Sequence, residues 1–224
     1  MEDIKYALII GASRGIGLGL ANTLAERGWQ VVATTRNVIP ACHSGIDWLT
    51  LDINDAEQRN ALQEPLSTSQ FDVIFVNAGV YGPEHQDLLQ ASDEELLSLF
   101  TSNAFSPVRC AAELLPLLTP KTGILAFMSS QLASLNENLH ATYPLYAASK
   151  AALNMLSREL SQSTAKHQQT LLCVHPGWVQ TDMGGADATL TVAQSANGIA
   201  DQLDKWRGKG GHHYVDYAGN VLSW

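Results

Sequence analysis

The stretch KYALIIGASRGIG, residues 5–17, decides the fold. Its first half is an apolar run typical of a buried strand, and its second half is rich in glycine and leads into the helical spacing of Ile16, Leu20 and Leu24. Glycine lets the backbone turn tightly and approach a phosphate, and a helix N-terminus offers free N–H groups. The stretch therefore predicts a strand, a phosphate loop and a helix, the first unit of a nucleotide-binding sheet.

The alternation of strands and helices continues along the chain. Further strands are predicted in WQVVATTR, IDWLTLDI, FDVIFVNAG, GILAFMSS and QTLLCVHPG, with a short last strand in HHYVDYAGNVL. Strands that are apolar throughout indicate a parallel sheet covered on both faces, because crossovers between parallel strands pass over a face. We predict an α/β fold with a doubly wound parallel sheet, Rossmann-like, as a single domain over residues 1–224.

Composition excludes several other classes of protein. The formal charge of −9 argues against general binding to nucleic acid or to anionic membranes. No apolar run approaches the ~18 residues of a membrane span, and the start MEDIKYALII lacks the basic head of a secretory signal, so we expect a cytoplasmic protein. The three cysteines and seven histidines show neither disulfide nor metal-site spacing. We therefore predict free thiols and no metal.

Several motifs follow the predicted strands, where ligands bind in such sheets. They are Gly11-x-x-x-Gly15-x-Gly17, Asn77-Ala78-Gly79, Ser129-Ser130, Tyr146-x-x-x-Lys150 and Pro176-Gly177, with Asn103 in a long helix between them. In this order the motifs resemble the short-chain dehydrogenase/reductase family. The segments SSQLASL, YAASKAALNM and HPGWVQTDMGG are most similar to its C-factor-like and Sniffer-type carbonyl reductase branch.

The resemblance implies a catalytic set of Ser130, Tyr146, Lys150 and Asn103. Ser130 would orient the substrate carbonyl, with Ser129 as the alternative, and Lys150 would also bind the ribose of nicotinamide. Asn103 would hold a water chain to Lys150; the alternative is a helix kink or a hydrogen bond within the core. The motifs and the resemblance together predict these cofactor-binding residues: Gly11, Ser13, Arg14, Gly15, Ile16, Gly17, Arg36, Asp52, Ile53, Asn77, Ala78, Gly79, Tyr146, Lys150, Pro176, Gly177, Val179 and Thr181.

Two tyrosines compete for the role of proton donor. Tyr146 lies four residues before Lys150, so the two share a helix face, whereas Pro144 favours a loop at Tyr143. We therefore predict that Tyr146 is the acid. The Lys150 ammonium, together with the positive nicotinamide of the oxidised cofactor, is expected to lower its pKa from the ordinary value of about 10.

The second strand indicates which cofactor is used. An NAD-preferring domain usually ends this strand with an acid that binds the ribose 2′-hydroxyl. Here Thr35 takes that place, Arg36 follows, and Arg14 in the phosphate loop can approach from the other side. Arginine suits a 2′-phosphate, so we predict NADP(H), with NAD(H) less favoured. Many family members have threonine where this chain has Ile10, so a hydrogen bond of the loop is expected to be missing or to come from elsewhere.

Three further positions have more than one interpretation. Asp52 either caps the following helix or lies, with Ile53, at the adenine edge that the resemblance implies. Thr181 either caps the next segment or contacts the nicotinamide carboxamide. An apolar substrate pocket is predicted from three loop side chains, Tyr81, Trp178 and Met183.

The leading prediction is an NADPH-dependent reductase of a ketone or aldehyde, with a small-molecule carbonyl substrate. The alternative, suggested by the C-factor resemblance, is a nucleotide-binding signalling or regulatory protein in which turnover is incidental. A homodimer or homotetramer is expected, because the resemblance implies pairing of two helices that carry apolar residues beyond one face. These residues are Leu96, Leu97, Leu99, Phe100, Leu153, Met155 and Leu156.

Overall fold

The computed structural model describes residues 4–224, which form one parallel sheet of seven strands in the order β3-β2-β1-β4-β5-β6-β7. The strands are β1 (Tyr6–Ile10), β2 (Gln30–Thr35), β3 (Ile46–Thr50), β4 (Val73–Val76), β5 (Ile124–Met128), β6 (Thr170–His175) and β7 (Gly211–Asp216). The predicted doubly wound α/β sheet is confirmed. The first three residues of the 1–224 domain prediction lie outside the described residues.

Helices cover both faces of the sheet. They are α1 (Gly15–Glu26), α2 (Ala56–Leu66), α3 (Asp93–Phe100), α4 (Ser106–Leu114), α5 (Pro144–Ser157), α6 (Ser161–Lys166) and α7 (Val192–Trp206). Alternate side chains of β1 enter two cores: Ala7 and Ile9 pack with α1 and α7, and Leu8 and Ile10 pack with α2, α4 and α5. Because both faces are covered, every strand side chain can be apolar.

The order of the strands creates a crevice between β1 and β4. The chain runs outward from β1 through β2 to β3 and then returns to β4 on the other side of β1. Connections therefore leave β1 and β4 in opposite directions, and the carboxyl ends of these strands flank an open space where ligands bind in such sheets. The phosphate loop and Asn77-Ala78-Gly79 meet at this point.

The start of α5 confirms the predicted helix boundary. Tyr143 precedes the helix in a left-handed conformation with φ of 51°, and Pro144 is the first helical residue. Proline fits there because the first helical position needs no N–H donor. Tyr146 and Lys150 therefore lie one turn apart on the same helix, and Tyr143 lies outside it.

A π-helical turn, Thr101–Phe105, joins α3 to α4 and carries Asn103. Of the apolar residues expected to mediate association, Leu99 and Leu153 are buried in the core, whereas Leu97 and Met155 are 64% and 63% exposed. No helix within residues 4–224 is long and apolar enough to cross a membrane. In the same range, no three His, Cys, Asp or Glu side chains gather as a metal site would require.

Candidate active site

A cleft of about 480 Å³ opens at the carboxyl ends of β1, β4, β5 and β6. Most of the predicted cofactor residues lie on its wall: Gly11, Ser13, Arg14, Gly15, Ile16, Arg36, Asp52, Ile53, Asn77, Ala78, Gly79, Tyr146, Lys150, Pro176 and Thr181. Five predicted site residues lie outside that lining: Gly17, Asn103, Ser130, Gly177 and Val179. The fold thus brings the two ends of the predicted site into one cavity.

Close backbone approach shapes the phosphate loop. A Cβ at Gly17 would lie 2.3 Å from the Gly11 carbonyl oxygen and 2.5 Å from the Asn77 amide nitrogen. Asn77 Nδ2 donates to that Gly11 oxygen at 2.7 Å, which joins the loop to the end of β4. Gly17 therefore lies behind the wall of the cleft, where its lack of a side chain allows the loop and the end of β4 to pack together.

Ile10 has no polar side chain, and hydrogen bonds to the start of the phosphate loop come from β2. The backbone N–H of Gly11 donates to Thr34 Oγ1 at 2.9 Å, and the N–H of Ala12 donates to the Thr34 carbonyl at 2.9 Å. A threonine one strand away thus anchors the start of the loop. Its role was missed at the sequence level because neighbouring strands are brought side by side only by the fold.

The N-terminus of α1 fits a diphosphate. Its N-cap residue, Arg14, makes no side-chain capping hydrogen bond, and the first turn contains no acidic residue. The free N–H groups and the positive end of the helix dipole are thus left for an anion, on a loop whose glycines admit close approach. These residues fit the predicted nicotinamide dinucleotide.

The two arginines differ in their surroundings. Arg14 Nη1 forms an ion pair with Asp182 Oδ2 across the mouth of the cleft, and both side chains are largely exposed. Arg36 is also exposed, but within residues 4–224 its side chain has no hydrogen bond or ion pair. Thr35 accepts from the Asn37 N–H at 3.4 Å and donates to the Val38 carbonyl at 3.2 Å, which fixes the turn that carries Arg36.

Lys150 and Tyr146 adjoin each other at the inner end of the cleft. Lys150 is 3% exposed; its Nζ donates to the Met128 carbonyl at 2.9 Å and lies 5.9 Å from the centre of the Tyr146 ring. Burial lowers the pKa of Lys150 to about 8, because loss of water disfavours the ammonium form. The Lys150 ammonium therefore loses its proton at a lower pH than an exposed lysine does.

Burial dominates the pKa of Tyr146. It raises this pKa to about 12, with hydrogen bonding by Ser130 acting in the opposite direction and Tyr81 adding to the increase. The expected lowering combined the Lys150 ammonium with the positive nicotinamide of the oxidised cofactor, and within the protein alone desolvation of the phenolate has the largest effect. The side chains of the protein therefore keep Tyr146 protonated at neutral pH.

The adjacent serines make different contacts. Ser129 Oγ donates to Asn154 Oδ1 of α5 at 2.7 Å, and Ser129 is 1% exposed. Ser130 Oγ accepts from the Leu132 N–H at 3.2 Å, and the Ser130 carbonyl accepts a hydrogen bond from the Tyr214 hydroxyl. Since the Ser129 hydroxyl already binds α5, Ser130 is the better candidate for a hydrogen bond to the substrate carbonyl, although Ser129 also borders the cleft.

One of the two interpretations of Asn103 was a hydrogen bond within the core, and its side chain makes such bonds. Its Oδ1 accepts from the Val80 N–H at 2.7 Å, and its Nδ2 donates to the Val80 carbonyl at 2.8 Å and to Ser149 Oγ at 2.9 Å. A Cβ at Gly79 would lie 3.1 Å from both Asn103 Oδ1 and Lys150 Nζ. Asn103 therefore fixes the loop after β4 directly beside Lys150.

The contacts of Asp52 and Thr181 bear differently on the two interpretations of each residue. Asp55, not Asp52, caps α2 by accepting from the N–H groups of Glu57 and Gln58, so the capping interpretation of Asp52 is wrong. Asp52 lies on the cleft wall. Thr181 also lines the cleft, and its Oγ1 accepts from the Gly184 N–H at 3.1 Å, so it additionally fixes its own turn.

Aromatic side chains surround the catalytic candidate. The Tyr81 ring lies 5.8 Å from the Tyr146 ring and 5.5 Å from the Tyr143 ring. Met183 lines the cleft, and Trp178 is 53% exposed, with its Nε1 donating to the Gly184 carbonyl at 2.8 Å. Of the predicted pocket residues, Tyr81 is thus in contact with Tyr146, and the other two lie on the loop after β6.

Known proteins are similar to this chain in sequence and in fold. A family model described as short chain dehydrogenase matches residues 5–189. C-signal of Myxococcus xanthus is 36% identical over 160 residues, which are 70% of this chain and 95% of that protein. A carbonyl reductase from Pseudomonas aeruginosa PAO1 in complex with NADP is 40% identical with a TM-score of 0.91, covering 99% of this chain and 100% of that one. The carbonyl reductase Sniffer of D. melanogaster is 29% identical with a TM-score of 0.87 over 99% and 100% of the chains. The resemblance stated from the motifs is confirmed.

Proposed function

The chain belongs to the short-chain dehydrogenase/reductase family, and on that premise we propose that it is an NADPH-dependent reductase of a ketone or aldehyde. The observation that carries this proposal is a protonated Tyr146 beside a buried Lys150 at the inner end of a cleft with an uncapped helix N-terminus. The P. aeruginosa carbonyl reductase in complex with NADP supports the same cofactor here.

In this proposal NADPH, when bound, supplies the hydride to the carbonyl carbon. The Tyr146 hydroxyl gives its proton to the carbonyl oxygen, so that one hydride and one proton convert the carbonyl to an alcohol. Ser130 donates a hydrogen bond to the same oxygen and stabilises the charge that develops there. The Lys150 ammonium then stabilises the Tyr146 phenolate, and Asn103 keeps the adjacent loop in place.

The arginines support preference for NADPH over NADH. Arg36 is exposed at the end of β2 and lines the cleft, where it can bind a 2′-phosphate. Arg14 also lines the cleft, but its Nη1 is already paired with Asp182. We therefore assign the main contact to Arg36 and an auxiliary one to Arg14.

Association into a homodimer or homotetramer remains part of the proposal. Leu97 on α3 and Met155 on α5 are the exposed apolar residues that support it, since a second copy of the same face would cover them. Light scattering at micromolar concentration tests this; a monomeric mass contradicts it.

A second candidate function is signalling with incidental turnover, which the 36% identity to C-signal favours. Steady-state oxidation of NADPH against a panel of ketones, aldehydes, quinones and pterins distinguishes the two. The reductase proposal expects turnover of at least one carbonyl by the unmodified protein. Tight binding of NADPH without oxidation of it by any carbonyl would favour signalling.

A further inference from the structure

The helix that carries Tyr146 begins without a cap of its own. Tyr143, the residue before α5, makes no side-chain capping hydrogen bond, and Pro144 has no N–H to offer. The backbone N–H of Tyr146 belongs to the first turn, where a helix has no internal acceptor for its donors. A partner from elsewhere in the chain is therefore needed to hold this end of the helix.

Gln86 supplies that partner from the loop after β4. Its Oε1 accepts the Tyr146 N–H at 2.9 Å, across a separation of 60 residues. Its Nε2 donates to the Pro83 carbonyl at 2.8 Å and to the Tyr81 carbonyl at 3.2 Å. One side-chain amide thus joins the loop after β4 to the first turn of α5.

The backbone of Gln86 is held in an unusual conformation. Gln86 is 7% exposed and has φ of 51°, in the left-handed region that residues other than glycine rarely adopt. Such conformations persist where surrounding contacts fix them, and they concentrate at functional sites. The three hydrogen bonds of the Gln86 amide are contacts of this kind.

The same amide acts on Tyr146 from two directions. It binds the Tyr146 backbone directly, and it holds the carbonyl of Tyr81, whose ring lies 5.8 Å from the Tyr146 ring at an interplanar angle of 31°. We propose that Gln86 is a positioning residue that fixes the phenol of Tyr146 for proton transfer, an inference that rests on the proposed function of Tyr146. Gln86 itself does not touch the reacting atoms.

Two substitutions at Gln86 test this role. Gln86→Met keeps the length of the side chain but removes its hydrogen bonds, so kcat is expected to fall about tenfold while the Kd for NADPH stays within about twofold. Gln86→Glu keeps an oxygen acceptor for the Tyr146 N–H but loses the donor to the Pro83 and Tyr81 carbonyls, so kcat is expected to recover only in part. Gln90→Met is the matched control, because Gln90 is exposed in the same loop and bonds only Asp87 among the described residues.

Hydrogen exchange followed by mass spectrometry gives a readout that does not depend on turnover. In Gln86→Met the first turn of α5 should exchange about tenfold faster than in Gln90→Met, with no change in β1 or β5. Unchanged kcat and unchanged exchange in Gln86→Met overturn the proposal, as do equal losses of kcat in the Met and Glu variants. If the unmodified protein reduces no carbonyl, the proposed function fails, and the exchange measurement still decides whether Gln86 holds the helix.

Discussion

The two ends of the cleft are held in different ways. At the phosphate loop, glycine backbone packs against the end of β4, and Thr34 and Asn77 bind the backbone of Gly11. Around Tyr146, side chains bridge long stretches of sequence: Gln86 reaches Tyr146, and Tyr214 reaches Ser130. The cofactor end thus adds close main-chain packing of glycines to the hydrogen bonds of the Thr34 and Asn77 side chains, whereas the contacts around Tyr146 come from the side chains of Gln86 and Tyr214.

This difference predicts how each end responds to substitution. Anion binding at the phosphate loop is shared among several N–H groups and two exposed arginines, so loss of one side chain should give a graded change in affinity. Proton transfer depends on one phenol and the groups that orient it, so loss of one side chain there should be severe.

Removal of the proton donor should have the largest effect. Tyr146→Phe is expected to lower turnover by about 100-fold to 10,000-fold, the usual contribution of general acid catalysis, and to leave NADPH binding nearly intact. Stopped-flow or steady-state oxidation of NADPH measures the first effect, and fluorescence titration measures the second.

Tyr143→Phe is the matched control, because Tyr143 lies outside α5. Its ring contacts the Tyr81 ring, and phenylalanine keeps that ring. Turnover should change little in this variant. A severe loss in Tyr143→Phe together with normal turnover in Tyr146→Phe would show that the wrong tyrosine has been assigned.

The choice between these tyrosines illustrates what sequence can predict. Pro144 marks the helix start by local stereochemistry, and the glycines of the phosphate loop indicate close approach by their lack of a Cβ, so both features were readable. Gln86 and the Arg14–Asp182 pair were not, because their partners are brought near only by the fold. The effect of burial on the pKa of Tyr146 was not readable for a similar reason: the degree of burial is a property of the packed structure.

Carbonyl reduction should slow as the pH rises above neutral. Burial places the pKa of Lys150 at about 8 and that of Tyr146 at about 12, so deprotonation of Lys150 comes first as pH rises. The ammonium then ceases to stabilise the phenolate, and the rate of carbonyl reduction should fall about tenfold per pH unit above pH 8, or about 100-fold by pH 10. Initial rates at saturating NADPH measure this profile.

Lys150→Met provides the control for the pH profile. It should be slower at neutral pH and should lack the decline that begins near pH 8. If the rate of carbonyl reduction in Lys150→Met declined at the same pH and by the same factor, the titration would belong to another group.

A smaller effect is expected at the cofactor end of the cleft. Arg36→Ala should weaken NADPH binding about tenfold or more, because charge-assisted hydrogen bonds contribute roughly 1.5 to 3 kcal/mol, and should change NADH binding little. Thr35→Asp should shift preference toward NADH by repelling the 2′-phosphate. Arg109→Ala, which removes an exposed arginine of α4 away from the cleft, should leave both affinities unchanged. Equal affinity of the unmodified protein for NADH and NADPH would contradict the assignment.

The smallest effect is expected at Asp182, whose carboxylate would compete with the cofactor for Arg14. Exposed pairs of this kind contribute about 0 to 1 kcal/mol, so Asp182→Asn should tighten NADPH binding by up to about fivefold, with less effect at high salt because exposed charges are screened. Asp201→Asn removes the same charge from another exposed pair, Arg27 with Asp201, between α1 and α7, and controls for the change in net charge. Titration of cofactor fluorescence at two salt concentrations measures both variants. Weaker binding in Asp182→Asn would show that Asp182 holds Arg14 in its binding position, and that this end of the cleft, like the catalytic end, depends on a single side-chain contact.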